Sequence, residues 1–456
     1  MTSFADLSAW TWLIQFFIIV VALLVANLVR CNVPLFRRSL LPSALLAGLL
    51  ILCLKPLGFF SALVDKHAME IVTYHALGLG FVAMALKNKK IKSATSTLKV
   101  VETGAVTAST YILQGLVGLI ITVPLFLFGK QLFYASGLLL PMGYGQGPGQ
   151  ANNVGSSYQS LGFAGGRSFG LAIAAAGYLC ACVVGVILLN VLAKRGHVSP
   201  ARRNNDDDLA VGFFQDRNEL PVADSVDRLS VQLAMVFVAY LATYLVTRGL
   251  TAGIAAVSAG LAGTVNTLLW GFNFIIGSGI AVLLRRLLEA GRKRGLIERQ
   301  YQNNYLLNRL SGFFFDIMIV AGISSINVED LSGLWLCFLL LAAAGGVFTW
   351  LHLRRVCRWA YPGYYYEGLI SMYGMMTGTI SSGILLLREI DNDFHTPAAN
   401  NLVSGSSVGI ILGAPVLVLV SLAAKSDRMA IIVCLIAAAY LGALLMLLRR
   451  LCFGKK

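Results

Sequence analysis

The chain contains apolar stretches, unbroken by any Asp, Glu, Lys or Arg, that outrun an ordinary buried helix; 10–28, 103–129, 168–193, 229–247 and 429–448 are the cleanest. A bilayer's hydrocarbon core is about 30 Å thick and takes about 20 helical residues to cross, so runs of this kind are long enough to span. None shows the apolar–polar alternation of a membrane barrel strand. Composition agrees, with 57% of the 456 residues hydrophobic and 12% charged, where soluble domains carry about a quarter charged. The chain therefore reads as an all-α polytopic membrane protein. The first run follows "MTSFADLS", which carries an acid and no base, and is too long for the apolar core of a cleavable leader; it reads as a retained helix.

Spans are expected near 9–29, 41–57, 70–87, 101–129, 167–193, 229–248, 267–286, 306–326, 331–353, 398–424 and 429–449, making about eleven transmembrane helices. Two segments fit neither a span nor a loop. One is 133–162, containing "GLLLPMGYGQGPGQANN", and the other is 364–390, containing "YYYEGLISMYGMMTGTISSG". Each is too interrupted by glycine to be a simple span and too poor in charge to be a surface loop. The net charge of +15 tests the alternatives. If both segments are re-entrant hairpins and the N-terminus lies outside, the C-terminus is cytoplasmic. Only Lys55, Lys66, Lys130, Arg167, Arg248, Lys425 and Arg428, of 36 Lys and Arg, then fall on the outer side. That asymmetry is the positive-inside pattern of a multi-pass inner or plasma membrane protein, and it accounts for the basic balance without nucleic acid.

A polar stretch at 194–228, with both charge signs and two prolines, reads as a cytoplasmic linker. Its "DDD" at 206–208 is a solvated charge run. The linker separates a five-helix repeat, 1–193, from a second, inverted one, 229–424, and 425–456 adds a further helix and a cytoplasmic tail. Sliding the first copy onto the second lays Gly143 on Gly374 and Gly147 on Gly378. Inverted repeats with interrupted helices characterise secondary transporters. The eight cysteines have no zinc-ligand spacing and are expected to be mostly buried free thiols.

Non-helical backbone at membrane depth is tolerated only where protein or a water-filled cavity supplies hydrogen-bond partners. The two glycine-rich tips are therefore the expected site, meeting near the midplane. Returning arms that begin near Gln150 and Ile380 aim helix N-termini at a carboxylate, while carbonyl and side-chain oxygens suit a hard cation. Candidate substrate-binding residues are Gln146, Gly147, Gly149, Asn152 and Asn153 in the first tip and Thr377, Gly378, Thr379, Ser381 and Ser382 in the second. Arg167 is a further candidate, as a carboxylate clamp or an interfacial anchor. Asp316, in "SGFFFDIMIV", costs about 2.5–3.5 kcal/mol near a bilayer centre and reads as a cation or proton ligand or as a structural hydrogen-bonder. Asn400, Asn401 and Ser404 are candidates to complete a sodium site. His75 and Gln114 read as interhelical hydrogen-bonders.

The first hairpin and its following helix, the second hairpin four spans later, and "YILQGLVGL" and "LLPSALLAGLL" together resemble the bacterial sodium/glutamate symporters over most of 9–424. That family shows a Gly-His-Gly-Thr-Gly-like first tip, where this chain has Gly145-Gln146-Gly147-Pro148-Gly149. Asp316 and the eleventh span also depart from it. The resemblance implies a homodimeric, sodium-driven importer of L-glutamate or a similar small carboxylate, with an elevator movement of a core domain. A proton is the alternative coupling ion. Other readings are a sodium-independent anion exchanger or uniporter on the same fold and, from another class, an intramembrane serine hydrolase using Ser156 or Ser157.

Overall fold

The computed structural model describes residues 7–34, 42–55, 64–87, 97–129, 132–198, 225–257, 269–270, 273–296, 301–391 and 395–454. Among these there is no strand, and the helices run α1 Leu7–Asn32, α2 Ser43–Leu54, α3 Lys66–Leu86, α4 Thr97–Gly129, α5 Leu139–Tyr144, α6 Pro148–Ser160, α7 Gly166–Leu179 and α8 Gly185–Lys194. The second half adds α9 Ser225–Val257, α10 Asn273–Lys293, α11 Asn304–Ser324, α12 Trp335–Ala360, α13 Tyr365–Thr377, α14 Ile380–Arg388, α15 Ala398–Ala423 and α16 Asp427–Phe453. Between α7 and α8 the helix continues through a π turn, Cys180–Val184.

Among the described residues eight helices are long and apolar enough to cross a membrane, which makes this a polytopic membrane protein. The rest of the expected spans are helical but less regular. α2 is short, α15 is bent by 42°, and α10 carries Arg285, Arg286 and Glu289 within its length. Most of the expected linker, 199–224, lies outside the described residues. None of the eight cysteines forms a disulfide; Cys182, Cys337 and Cys357 are buried, while Cys31 and Cys53 are exposed.

The chain forms two compact units that cut across sequence order. The first comprises Met1–Lys66, Ser93–Arg203 and Gly322–Lys456, the second His67–Lys92 and Asn204–Ala321. These units are set by contact, whereas the expected repeats are set by order along the chain.

In the first unit α4 is the central rod. α15 lies along it in parallel register: a Cβ on Gly405, Gly409 or Gly413 would come within 2.4, 2.7 and 2.9 Å of Thr103, Thr107 and Tyr111 respectively. Four-residue spacing puts these glycines on one helix face, and their lack of side chains lets the two backbones close up, as small residues do between membrane helices. The second unit packs α3, α9, α10 and α11 around Leu79, Val82, Val236, Ala281, Leu307 and Phe314. There Ser311 Oγ donates to Gly80 O (3.0 Å), and His75 Nδ1 lies 2.9 Å from Tyr240 OH, the interhelical role expected of that histidine.

Candidate functional site

Both glycine-rich segments fold back on themselves, and both belong to the first unit. In the first, Phe133 before the turn stacks on Phe163 beyond it (5.5 Å between ring centroids) and packs on Tyr158 of the returning arm (5.0 Å). In the second, α13 and α14 are pressed together through glycine: a Cβ on Gly383 would stand 2.4 Å from Ser371 O, and one on Gly374 would stand 2.9 Å from Gly383 Cα. Both have helix–break–helix form.

Their open ends lie at opposite ends of α4. Tyr134, at the start of the first hairpin, meets Phe126 near the C-terminus of α4 (5.6 Å). At the other end Tyr361 OH donates to Thr103 Oγ1 (2.9 Å), and Tyr361 stacks towards Tyr364 at the start of the second hairpin (5.3 Å). The tips come together between: a Cβ on Gly147 would be 3.8 Å from Thr379 Cγ2. Gln114 of α4 marks that level. Its Nε2 donates to Met376 O (2.8 Å) and to Thr349 Oγ1 (2.9 Å). Its Oε1 lies 3.0 Å from where a Gly145 side chain would begin. At 1.5 Å per residue, Gln114 is about 17 Å along the rod from Thr103 and about 18 Å from Phe126. Each hairpin therefore reaches half the rod's working length.

The breaks have local causes. Gly145 N and Gln146 N both donate to Pro141 O (3.1 Å each), which closes the incoming arm. Gly147 then adopts φ +89°, a conformation other residues avoid, and Pro148 occupies the first position of α6, where its missing N–H removes no helix bond. In the second hairpin Gly378 N donates to Gly374 O (3.0 Å), and Thr379 turns to extended backbone before α14 begins. The first N–H groups of α6 and α14 have no acceptor within their own helices, so both helix starts present donors at the tips. A close approach at Gly177 seats the second tip, since a Cβ there would be 2.4 Å from Thr377 O. The π turn adds to this: Ala181 Cβ would lie 3.2 Å from a Gly378 side chain, and Cys180 Sγ lies 3.1 Å from Tyr373 OH.

Among the expected substrate residues, Gly147, Gly149, Asn152, Asn153, Thr377, Gly378 and Ser382 are buried, and Gln146 and Thr379 are half-buried; the Ser381 side chain lies outside what is described. Thr379 Oγ1 and Ser382 Oγ are 3.4 Å apart. Within the described residues Gln150 Oε1, Asn152 Oδ1 and Gln114 Oε1 are buried acceptors with no hydrogen-bond donor, whereas buried polar atoms are nearly always paired. Arg167 is placed elsewhere. Its Nε donates to Ser156 Oγ (2.6 Å), about 12 Å along α6 from Pro148, so it braces the returning arm.

The four candidate cation ligands are not gathered in one unit. Asp316 is an exposed residue of α11 in the second unit, while Asn400, Asn401 and Ser404 belong to α15 in the first. Asn401 is buried and donates to Tyr364 OH, which ties α15 to the start of the second hairpin, and its Oδ1 is unpaired among the described residues. Asn400 is exposed and Ser404 half-buried. Thr349 and Tyr364 gave no sequence signal, because a lone hydroxyl in an apolar helix, or one tyrosine of three in a row at the start of a helix, is unremarkable until its partner is known. No family model matches the chain, and no curated protein matches it.

Proposed function

We propose that this chain is a secondary active transporter that couples sodium to the symport of a small carboxylate, glutamate by preference, by an elevator-type alternating-access movement. The observation that carries the reading is the pair of hairpins, open at opposite ends of α4, whose tips meet at its middle beside the unpaired Gln114 Oε1, with further unpaired amide oxygens at Gln150 and Asn152 of the first returning arm. Helix N-termini there favour the carboxylate. Unpaired carbonyl oxygens favour the cation, and Asn401 Oδ1 offers one more acceptor nearer the open end of the second hairpin. The first unit, which holds both tips, would be the travelling body. The second would serve as the scaffold of a homodimer, and the resemblance to the sodium/glutamate symporters belongs to the same proposal. So do an outer N-terminus and a cytoplasmic C-terminus.

Uptake into proteoliposomes tests it. Gly378→Val, and separately Gln146→Ala combined with Thr377→Ala, are expected to abolish sodium-driven glutamate uptake while the purified protein stays folded. Undiminished uptake in both would remove the tips from the site. One observation favours a second reading, a sodium-independent exchanger: the only mid-helix carboxylate among the proposed cation ligands, Asp316, is on the other unit from Asn401. Uptake indifferent to a sodium gradient would select it. The hydrolase reading finds no help at Ser156, whose hydroxyl donates to Asn152 O (2.6 Å) and accepts from Arg167.

A further inference from the structure

Where α12 and α16 end side by side, they leave a groove of about 500 Å³ lined by Arg355, Trp359, Arg449 and Phe453. Each helix contributes an arginine and, four residues on, an aromatic ring, so each pair stands on one face one turn apart. Both arginines are exposed. Among the described residues neither has an ion pair or hydrogen bond. The buried acid nearby is already satisfied: Glu102 takes Lys99 at 2.6 Å, and the same ammonium donates to Ala360 O, next to Trp359 (2.9 Å). Two guanidiniums thus share a cavity with no carboxylate among the described residues to neutralise them. Further back along the same faces the surface turns apolar, with Phe348, Leu351 and Met446 exposed.

We propose that this groove binds the headgroup of an anionic phospholipid. Its phosphodiester would sit between Arg355 and Arg449, where the planar forks of arginine match phosphate oxygens. Its acyl chains would run along Phe348, Leu351 and Met446. Trp359 and Phe453 take the interfacial level at which aromatic rings collect in membrane proteins. Basic pockets between membrane helices select anionic headgroups on charge, and here the charge, the interfacial rings and the apolar track lie in one line. The inference stands apart from the transport reading, since a protein that carried nothing would bind lipid here equally well.

The test is a lipid titration of the delipidated full-length protein in neutral detergent, read by native mass spectrometry and by thermal shift. Phosphatidylglycerol is expected to bind and raise Tm, whereas phosphatidylcholine and inorganic phosphate leave it unchanged. Arg355→Gln with Arg449→Gln is expected to lose this response, each arginine accounting for about fivefold in affinity. Arg354→Gln with Arg450→Gln, which removes equal charge one position away, keeps it. Equal loss in the two double variants, equal response to phosphatidylcholine, or a response to inorganic phosphate alone would overturn the site. If the first double variant does not fold, the single variants decide: unchanged affinity in both overturns it.

Discussion

At the scale of the residue, one amide organises the centre of the first unit. Gln114 satisfies the Met376 carbonyl, at the frayed end of α13, and leaves its own oxygen facing the first tip. Gln114→Leu keeps the volume and removes both functions. It is expected to lower stability by about 1–3 kcal/mol, the cost of an unpaired buried carbonyl. On the transport function proposed above, uptake is expected to fall further than that loss explains, since the second tip loses its tether. Thermal unfolding and uptake on the same preparation would check both; an unchanged Tm would remove the tether. The sequence already made Gln114 a hydrogen-bonder, because a lone amide in "YILQGLVGL" must find a partner. It did not say that the partner would be a hairpin carbonyl some 260 residues away.

At the scale of the element, α4 and α15 are joined by a glycine seam whose register is set by Thr103, Thr107 and Tyr111. Gly409→Leu places a side chain against Thr107 and is expected to destabilise the protein by about 1–3 kcal/mol, typical of overpacking. Gly442→Leu is its control, because a Cβ there meets nothing; similar losses in both would deny the seam. The helices and the breaks between them were largely legible from sequence because their causes are local: apolar run length, and glycine and proline at the breaks. The π turn at Cys180–Val184 was not. It lies within the apolar run 168–193, and nothing in its composition marks one residue too many. The four-residue spacing of Gly405, Gly409 and Gly413 is visible in the sequence, but which helix it faces is a tertiary fact.

At the scale of the whole molecule, opposed hairpins make a prediction about access. In a cysteine-free background, Gly129→Cys and Gly162→Cys, which flank the first hairpin, are expected to react with an impermeant maleimide from one side of the membrane. Gly363→Cys and Glu389→Cys, which flank the second, are expected to react only from the other. A flanking pair that split between the two faces would turn that hairpin into a full crossing and undo the proposed topology. The assembly of the units was beyond any sequence pattern, since contacts between distant segments leave no local trace. That interleaving bears on how the protein is made. α3 leaves the ribosome well before its packing partners α9, α10 and α11, which follow the whole of α4 to α8. Until they arrive it must be sheltered by lipid or by the insertion machinery. The first unit is begun before the second and completed after it, so a nascent chain halted after α8 would leave neither body able to close.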